Sequence, residues 1–496
     1  MTPRVSKVWT SCYSEAFLSS VEVQVLLRNG LPRFDIIGLP KNMIREGKDR
    51  IYSALSHLGI ELPSKKILVN LNPADRPKEG SHFDLPILIG ILKCLGHLSS
   101  GENDKDFYWG ELQLDGNIRP LEDHLAHLLF AHQARASRLL LSQDKAELDS
   151  LQSFLSPRIQ NIRNVADIFM CPSSPSLVVK ASNSMDRVTR QWLDEDATNA
   201  KWSQLLGSSE QFLFWSLVSL GRHHVLVEGP PGVGKSSWCQ ALGELQRPLP
   251  PHLWWSRYQF QSRQKCRELK DLWNPPFEAP HHSSSRAAII GGGHAQVLAG
   301  SMTRAHLGIL FLDELPEYHR DLLEALREPL ESKSITIARR GLSQQLPADM
   351  QLLAAMNPCG CGYYQSKKTC HCVPGEMYRY RQRVSEPLRD RFHWKVYWKY
   401  EAQKPLPEYK LCKLRDRLIS AERQPPAPLG HLYLPTRLSA RQQRLWLDKL
   451  SIYSRWKHCS EIGPTEVREF EDFSAQIEGL DKGHEAISIK RMEGER

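Results

Sequence analysis

The sequence predicts an α/β protein of several domains, and three observations lead to this prediction. Residues 225–236 have the pattern of a buried strand, a glycine-rich turn and the start of a helix. Residues 308–314 form a second apolar strand that ends in two carboxylates. Short strand-like and helix-like segments alternate over residues 1–170. With 496 residues, the chain is long enough for two or three domains, each with its own core.

The turn after the first strand matches the phosphate-binding pattern G-x-x-x-x-G-K-[ST] at every position. Its glycines let the backbone curl so that successive N–H groups point at phosphate oxygens. Lys235 adds a positive charge for the β- and γ-phosphates, and the Ser236 hydroxyl can hold Mg²⁺. The predicted nucleotide-binding residues are Gly229, Pro230, Pro231, Gly232, Val233, Gly234, Lys235, Ser236 and Ser237.

The second strand runs directly into Asp313 and Glu314. Beside a phosphate-binding loop, Asp313 would complete the Mg²⁺ shell with Ser236, and Glu314 would polarise the attacking water. The alternative, a glycine-rich turn and an unrelated core strand, does not explain why a strand precedes the loop and a helix-compatible run follows it. The sequence therefore predicts a protein that binds and hydrolyses ATP with Mg²⁺.

Composition narrows the class of protein and its location. The net charge of +9 and the pI near 8.9 suggest a polyanionic partner, although the basic residues are spread along the chain. Eleven cysteines, an odd number, argue against a disulfide framework and for a reducing compartment. No apolar run reaches the roughly 18 residues of a spanning helix, and the N-terminus has no secretory pattern. We expect a soluble, cytoplasmic protein without a membrane partner.

Four N-terminal motifs and the ATPase pattern resemble the YifB/ComM family of magnesium-chelatase-like AAA+ ATPases over almost the whole chain. The motifs are IGLP at 37–40, VNLNPAD at 69–75, KEGSHFDLP at 78–86 and GELQLDG at 110–116. The resemblance implies a Lon-protease-like domain, a P-loop AAA+ core with a parallel sheet, a small helical lid and a homohexameric ring. With the turn-rich linker at 173–200, the predicted domains are 1–172, 201–403 and a lid at 404–496.

A Lon-like fold raises the possibility of a serine–lysine peptidase, in which a deprotonated lysine activates a serine. Aligning residues 78–80 with the Lon nucleophile motif puts His82 at the serine position and Leu125 at the lysine position. Ser81 is one residue out of register. We therefore predict a catalytically inactive domain that serves assembly or docking.

The pair His281–His282 has two interpretations. Adjacent side chains on an extended segment point opposite ways, which makes a poor bidentate metal site. The resemblance implies instead a loop that lines the central pore.

Residues 334–338 and 352–358 predict a hairpin followed by a core strand, with Arg339 and Arg340 near the hairpin tip beside Gly341. Such an arginine pair is either a solvated turn or, as in AAA+ proteins that track DNA, a pore element that grips phosphates. Asn357 ends the core strand and matches the family's sensor position beside the γ-phosphate.

Two C-x-C pairs follow, and their four thiols could make a tetrahedral zinc site. They belong to Cys359, Cys361, Cys370 and Cys372. One intervening residue gives a tighter chelate than the usual C-x₂-C spacing. Unligated or redox-labile thiols are therefore the alternative.

Residues 383–392 resemble the family motif S-G-P-L-L-D-R, from which Glu386 and Arg389 depart. The resemblance makes Arg391 the candidate arginine finger for a neighbouring subunit's γ-phosphate, with Arg389 in reserve. The alternative is an arginine at a helix end that pairs with Asp390. In the lid, Arg441 resembles a second sensor that contacts phosphate in its own subunit.

Family resemblance also implies what the motor moves. ComM-like members resemble ATP-dependent DNA helicases or translocases that drive branch migration in natural transformation and recombination. Single-stranded or branched DNA would then occupy the ring pore, and recombination proteins would be partners. The alternatives are a magnesium-chelatase ATPase subunit that powers metal insertion, and an ATP-dependent protease or unfoldase.

Overall fold

The computed structural model describes most of the chain in detail. The described residues are 5–14, 17–73, 78, 80–99, 105–152, 154–155, 157–170, 184–194, 201–202, 205, 207–260, 270–292, 298–339, 342–364, 366, 368–399, 411–428 and 438–478. Of the predicted linker 173–200, they include only a helix at 184–194. The side chain of Arg339 and all of Arg340 lie outside them, so the predicted DNA contacts of the hairpin tip cannot be placed.

The elements alternate between strand and helix, as the sequence predicts. The strands are β1 Val5–Ser14, β2 Phe17–Arg28, β3 Arg33–Ile37, β4 Lys66–Asn72, β5 Asp106–Tyr108, β6 Glu111–Leu112, β7 Ile118–Arg119, β8 Arg138–Leu141, β9 Arg158–Asn161, β10 Val225–Glu228, β11 Phe277–Glu278, β12 Gly291–Gly292, β13 Leu298–Ala299, β14 Ile309–Leu312, β15 Ser334–Arg339, β16 Leu342–Pro347, β17 Gln351–Met356 and β18 Trp394–Tyr397. The helices are α1 Lys41–His57, α2 Asp84–Leu95, α3 His124–Gln133, α4 Lys145–Gln152, α5 Asp167–Met170, α6 Ser184–Asp194, α7 Ser209–Gly221, α8 Lys235–Ala241, α9 Pro251–Tyr258, α10 Lys270–Trp273, α11 Arg286–Ile290, α12 Ser301–Arg304, α13 Arg320–Ala325, α14 Arg327–Ser332, α15 Pro374–Arg381, α16 Glu386–Arg389, α17 Leu411–Arg423, α18 Ala440–Trp456 and α19 Pro464–Glu478.

The chain forms two compact units, and the division differs from the predicted domains. The first unit contains Met1–Val188 together with Leu249–Trp273, a segment that the sequence assigned to the ATPase core. Aromatic packing explains the difference. The Phe154 ring lies 5.3 Å from Trp254 and 6.0 Å from Trp273, measured between ring centroids. No periodic pattern in the sequence marked these contacts.

The first unit is built on a mixed seven-stranded sheet in the order β3-β4-β2-β1-β5-β8-β9. Strands β2, β3 and β4 and helix α1 show the alternation of strand-like and helix-like segments that the sequence predicts for residues 1–170. Helix α2 is buried from Asp84 to Cys94 because apolar residues occupy nearly every face. A helix of this kind forms the centre of a core rather than its surface.

The second unit contains Thr189–Pro248 and Asn274–Arg496 and is built on a five-stranded sheet in the order β11-β14-β17-β10-β18. Every neighbouring pair in this sheet is parallel. The carboxyl ends of all five strands therefore meet at one edge, where parallel α/β sheets place their ligands. Strand β17 lies between β10 and β14, so the segments after these three strands become neighbours.

The remaining predictions for this unit are confirmed in outline. Strands β15 and β16 pair as the predicted antiparallel hairpin. Two short helices, α13 and α14, follow β14 and meet at Leu326. Pro329 lies in the first turn of α14, where its missing N–H is tolerated.

The lid helices α17, α18 and α19 share one hydrophobic core with the ATPase sheet, rather than forming a separate core. Helix α18 begins at Ser439, whose side chain accepts a hydrogen bond from the backbone of Gln442 in a capping box. No helix among the described residues is both long and apolar enough to cross a membrane.

Candidate nucleotide-binding site

The phosphate-binding loop, residues 229–236, connects β10 to α8 and depends on its glycines. Gly232 and Gly234 have φ of 83° and 86°, values that favour glycine. At Gly229, a Cβ would lie 2.5 Å from the carbonyl oxygen of Trp398, so this position has no room for a side chain. The loop therefore approaches β18 through its bare backbone.

Lys235 lies at the first position of α8 and is mostly buried. Its Nζ donates to the carbonyl oxygens of Gly229 at 2.6 Å and Pro230 at 2.9 Å, and to Oδ1 of Asn357 at 3.2 Å. Burial lowers the pKa of Lys235 to about 8, although the nearby carboxylate of Asp313 opposes this. The predicted sensor therefore lies beside the predicted phosphate-binding lysine.

The two predicted Mg²⁺ ligands are in direct contact. Ser236 Oγ donates a 2.6 Å hydrogen bond to Asp313 Oδ2, although the two residues are 77 positions apart. The other oxygen of Asp313 accepts from the backbone N–H of Glu314 at 3.0 Å. A hydroxyl and a carboxylate are hard oxygen donors of the kind that Mg²⁺ prefers. These residues therefore fit the ion that the sequence predicts.

Glu314 has a partner that the sequence interpretation missed. His282 Nδ1 lies 3.2 Å from Glu314 Oε2. Strand β11 pairs with β14 so that Glu278 is opposite Leu310. His282 and Glu314 each lie four residues beyond this pair, so the register brings them together. The earlier metal and pore-loop interpretations of His281–His282 did not use this register.

A second ion pair lies beneath the phosphate-binding loop and was also missed. Arg381 Nη2 donates to Glu228 Oε1 at 2.6 Å, and its Nε donates to the Pro358 carbonyl at 3.3 Å. Glu228 is the last residue of β10, and Pro358 directly follows Asn357. Arg381 therefore ties the strand before the loop to the segment after the sensor.

Arg391 and Arg441 both form an ion pair with the carboxylate of Glu331. Arg391 Nη2 donates to Glu331 Oε1 at 2.7 Å, and Arg441 Nη2 contacts the same oxygen. Burial lowers the pKa of the Arg391 guanidinium. Among the described residues no ion pair joins Arg391 to Asp390, the alternative that the sequence left open. The reserve candidate Arg389 donates to the carbonyls of Val384 and Arg381.

The predicted second sensor, Arg441, has no recorded hydrogen bond to the phosphate-binding loop within the described part of the chain. Its recorded partner is Glu331. Its role within its own subunit therefore stays a prediction.

The four cysteines converge into one group, called here the four-cysteine cluster. The Sγ atoms of Cys359, Cys361, Cys370 and Cys372 all lie within 4.8 Å of one another. Cys359 Sγ is 3.4 Å from Cys361 Sγ and 3.7 Å from Cys370 Sγ. A tetrahedral zinc–thiolate site has sulfurs about 3.8 Å apart. A hydrogen bond from the Tyr363 backbone lowers the pKa of Cys361 to about 6, which favours the thiolate that zinc requires.

A histidine–carboxylate group formed by His223, His393 and Asp448 also escaped the sequence interpretation, because its members are far apart in the chain. The Nε2 atoms of His223 and His393 lie 3.3 Å and 3.5 Å from Asp448 Oδ2. Each Nδ1 accepts a 3.0 Å hydrogen bond, from Trp394 Nε1 and from the backbone N–H of His224 respectively. Each neutral ring therefore carries its proton on Nε2, which leaves no lone pair for a metal.

In the first unit, the predicted peptidase positions do not form a serine–lysine pair. Ser81 Oγ donates to Glu111 Oε2 at 2.6 Å. His82 is half-buried; desolvation lowers its pKa to about 4, and its Nε2 contacts the Ser11 carbonyl oxygen. Leu125 is buried in the core. The absence of peptidase activity in this unit stays a prediction.

Comparison with known proteins supplies the family. Residues 202–405 match the family "Magnesium chelatase, subunit ChlI", and residues 21–145 match "Subunit ChlI of Mg-chelatase". The chain is 32% identical over 376 residues to the YifB protein of Salmonella typhimurium, which covers 75% of this chain and 71% of that protein.

Two further relatives differ in how much of the chain they match. The competence protein ComM of Haemophilus influenzae is 34% identical over 379 residues, which covers 75% of this chain and 72% of that protein. DNA helicase MCM8 of Bos taurus is 31% identical over 152 residues, 30% of this chain and 16% of that protein. Because YifB and ComM match over more than two thirds of their own lengths, this chain belongs to the YifB/ComM family of magnesium-chelatase-like AAA+ proteins.

Proposed function

We propose that this protein is an ATP-hydrolysing ring motor that acts on DNA, as a ComM-like helicase in branch migration during natural transformation and recombination. The observation that carries the ATPase proposal is the 2.6 Å contact of Ser236 with Asp313, at the sheet edge where Lys235 contacts Asn357. These four residues follow three neighbouring parallel strands: Lys235 and Ser236 come after β10, Asp313 after β14 and Asn357 after β17. The sheet therefore brings together the groups that phosphoryl transfer needs.

Each residue at this edge has a distinct proposed role. The loop amides and Lys235 bind the phosphates, while Ser236 and Asp313 would hold Mg²⁺. An ion held by these two residues would supply positive charge against the charge that develops on the phosphates. Glu314 accepts the proton of the attacking water, and Asn357 orients the γ-phosphate. His282 lies on the far side of Glu314, where it limits the positions that the carboxylate can take.

We propose a homohexameric ring because the candidate finger, Arg391, contacts Glu331 rather than a described residue of its own phosphate-binding loop. Arg391 lies on Glu331 together with Arg441, and no recorded contact within the described residues links either arginine to the phosphate-binding loop. Arg391 would instead reach the γ-phosphate of a neighbouring subunit, with Glu331 holding it in position. Residues 1–172 would act as a Lon-like docking domain, and residues 404–496 as the lid.

We propose DNA as the substrate of the motor because of the chain's net positive charge and the names of its relatives. The chain carries a net charge of +9, and relatives named as a competence protein and a DNA helicase match it. A cleft of about 640 Å³ beside the site is lined in part by Arg320, Arg379, Arg383 and Tyr378. Arginines and an exposed aromatic ring suit phosphates and stacked bases. The hairpin residues Arg339 and Arg340 remain the proposed pore contacts.

The four-cysteine cluster is proposed to hold one structural Zn²⁺. The convergence of its four Sγ atoms, all within 4.8 Å of one another, supports this. ATP and Mg²⁺ complete the proposed cofactors.

A magnesium-chelatase ATPase subunit is the second candidate, because both matched family descriptions name that enzyme. Its motor would power metal insertion with partner subunits and would have no use for DNA. The third candidate, a protease or unfoldase, is disfavoured because Ser81 contacts Glu111 rather than a lysine.

One experiment separates these candidates: ATP turnover measured with and without single-stranded or forked DNA. We expect DNA to stimulate the wild type and a Glu314→Gln variant to bind ATP without turnover. An Arg339→Ala, Arg340→Ala variant should keep basal turnover and lose the stimulation. Turnover that DNA leaves unchanged in the wild type would overturn the DNA proposal, and a strictly monomeric protein with ATP bound would overturn the ring.

A further inference from the structure

The four-cysteine cluster begins two residues after the sensor. Asn357 directly follows β17, and Cys359, two residues later, is fully buried. The backbone then turns back, because the Gly362 N–H donates to the Cys359 carbonyl at 3.0 Å and Gly362 has φ of 80°. This turn brings two of the thiols together and points its outer side at the nucleotide site.

The turn packs between the phosphate-binding loop and the sensor. A Cβ on Gly362 would lie 3.1 Å from Pro231 Cδ and 3.7 Å from Asn357 Cγ. Asn357 Oδ1 in turn accepts the 3.2 Å hydrogen bond from Lys235. The cluster is therefore one packing layer away from the groups that are proposed to contact the γ-phosphate.

The second cysteine pair leads into the opposite side of the same site. Cys372 is followed by α15, whose last residue Arg381 contacts both Glu228 and the Pro358 carbonyl. The backbone N–H of Asn357 donates to the Tyr380 hydroxyl on the same helix. A metal that binds both cysteine pairs would therefore connect the turn after Asn357 to helix α15, and both of these segments contact the sensor region.

The described contacts of the segment between the pairs are individually weak. At Tyr364, Tyr397 Oη donates to the backbone carbonyl at 3.0 Å, and the Arg381 guanidinium lies 5.9 Å from the ring centroid. Thiolate–zinc bonds supply much more stabilisation than such contacts and close the loop between the pairs. The metal would then determine how rigidly the sensor is held.

We propose that zinc in the four-cysteine cluster positions Asn357, so that ATP turnover depends on the metal while ATP binding does not. This inference rests on the proposed ATPase function. Binding is spared because the loop glycines and the Lys235 contacts to loop carbonyls lie outside the cluster. Turnover is affected because a displacement of about 1 Å in a positioning group can lower a rate by about 100-fold.

The test begins with the full-length protein, purified under reducing conditions, and its metal content by elemental analysis. We expect about one zinc per chain, as four thiolates saturate a tetrahedral ion. Zinc is then removed with a pyridine-type chelator that leaves Mg²⁺ in solution, and later restored. Turnover should fall by about 10- to 100-fold and recover on zinc addition, while affinity for a fluorescent ATP analogue changes by less than about twofold.

Two variants and a control make the test specific. Gly362→Ala keeps all four thiols but adds a methyl group against Pro231 at a positive φ, so it should retain zinc and lose turnover. Cys372→Ser should lose both zinc and turnover. Cys412→Ser is the matched control, because Cys412 is exposed on α17 outside the cluster. It should change neither.

The possible failures are distinct. A protein without zinc, or one whose turnover survives zinc removal and Gly362→Ala, would overturn the inference and leave the ATPase proposal standing. A zinc-loaded wild type that binds ATP without hydrolysing it, with or without DNA, would instead overturn the proposed function on which the inference rests.

Discussion

Replacing Asp448 with Ala should loosen the lid helix that carries Arg441. Both residues belong to α18, and Asp448 is the contact of that helix with His223 and His393 at the edge strand of the ATPase sheet. The alanine removes the carboxylate that faces two Nε2–H groups. His223 is fully buried, so its N–H has no access to water after the change.

The magnitude follows from the geometry. A buried donor without a partner costs about 1–3 kcal/mol. The contacts here are long, at 3.3 Å and 3.5 Å, and the Asp448 side chain is 50% exposed, so solvent screens part of its charge. We therefore expect a loss of about 1–2 kcal/mol, which corresponds to roughly 5- to 30-fold more frequent opening of the helix.

Hydrogen exchange of the peptide that covers α18 measures this opening directly. Asp472→Ala is the matched control, because Asp472 is an exposed carboxylate on the neighbouring lid helix α19. Exchange in α18 should accelerate in Asp448→Ala and stay unchanged in Asp472→Ala. ATP turnover should likewise fall in Asp448→Ala and stay unchanged in Asp472→Ala. Equal exchange in the two variants would refute the assignment of Asp448 as a contact that holds the lid.

Three further predictions concern the ATP site and the stability of the second unit. Ser236→Ala removes the hydroxyl paired with Asp313, so half-maximal turnover should need about tenfold more Mg²⁺ in a titration; an unchanged requirement would exclude Ser236 as a ligand. Gly229→Ala places a methyl group against the Trp398 carbonyl, so nucleotide binding in a fluorescence assay should be lost with circular dichroism retained. Burial lowers the pKa of His306 to about 4 in the folded protein. As pH falls from about 6.5 to 4, His306 therefore binds a proton in the unfolded protein but not yet in the folded one. Stability should therefore fall over that range by up to about 1.4 kcal/mol per pH unit for this residue, and His306→Gln should show a shallower dependence in urea unfolding.

Local patterns in the sequence were enough for the parts of the site that are continuous in the chain. The phosphate-binding loop could be recognised because its glycine positions and Lys235 are set by short-range backbone geometry. The carboxylates of Asp313 and Glu314 could be recognised because they end an apolar strand. The family resemblance supplied Asn357, Arg391 and the helical lid, and the family itself is confirmed by the comparisons.

These local patterns could not predict how distant strands pair or which distant residues come into contact. The contact of His282 with Glu314 depends on how β11 pairs with β14, and no local signal encodes that pairing. The group around Asp448 joins His223, His393 and Asp448 from three regions of the chain, each more than 50 positions from the next. The assignment of Leu249–Trp273 to the first unit depends on aromatic contacts with Phe154 rather than on periodicity.

By itself, the sequence determined which residue types were available for the predicted chemistry: a glycine-rich loop for phosphates, oxygen ligands for a divalent ion and four thiols that suit a soft metal. Those properties reside in residue types and short spacings, which the covalent chain carries before it folds. Only the tertiary structure decided which groups work together, because neighbours across a sheet are chosen by strand order and burial. The insertion of β17 between β10 and β14 places Asn357 against Lys235 and the four-cysteine cluster behind both.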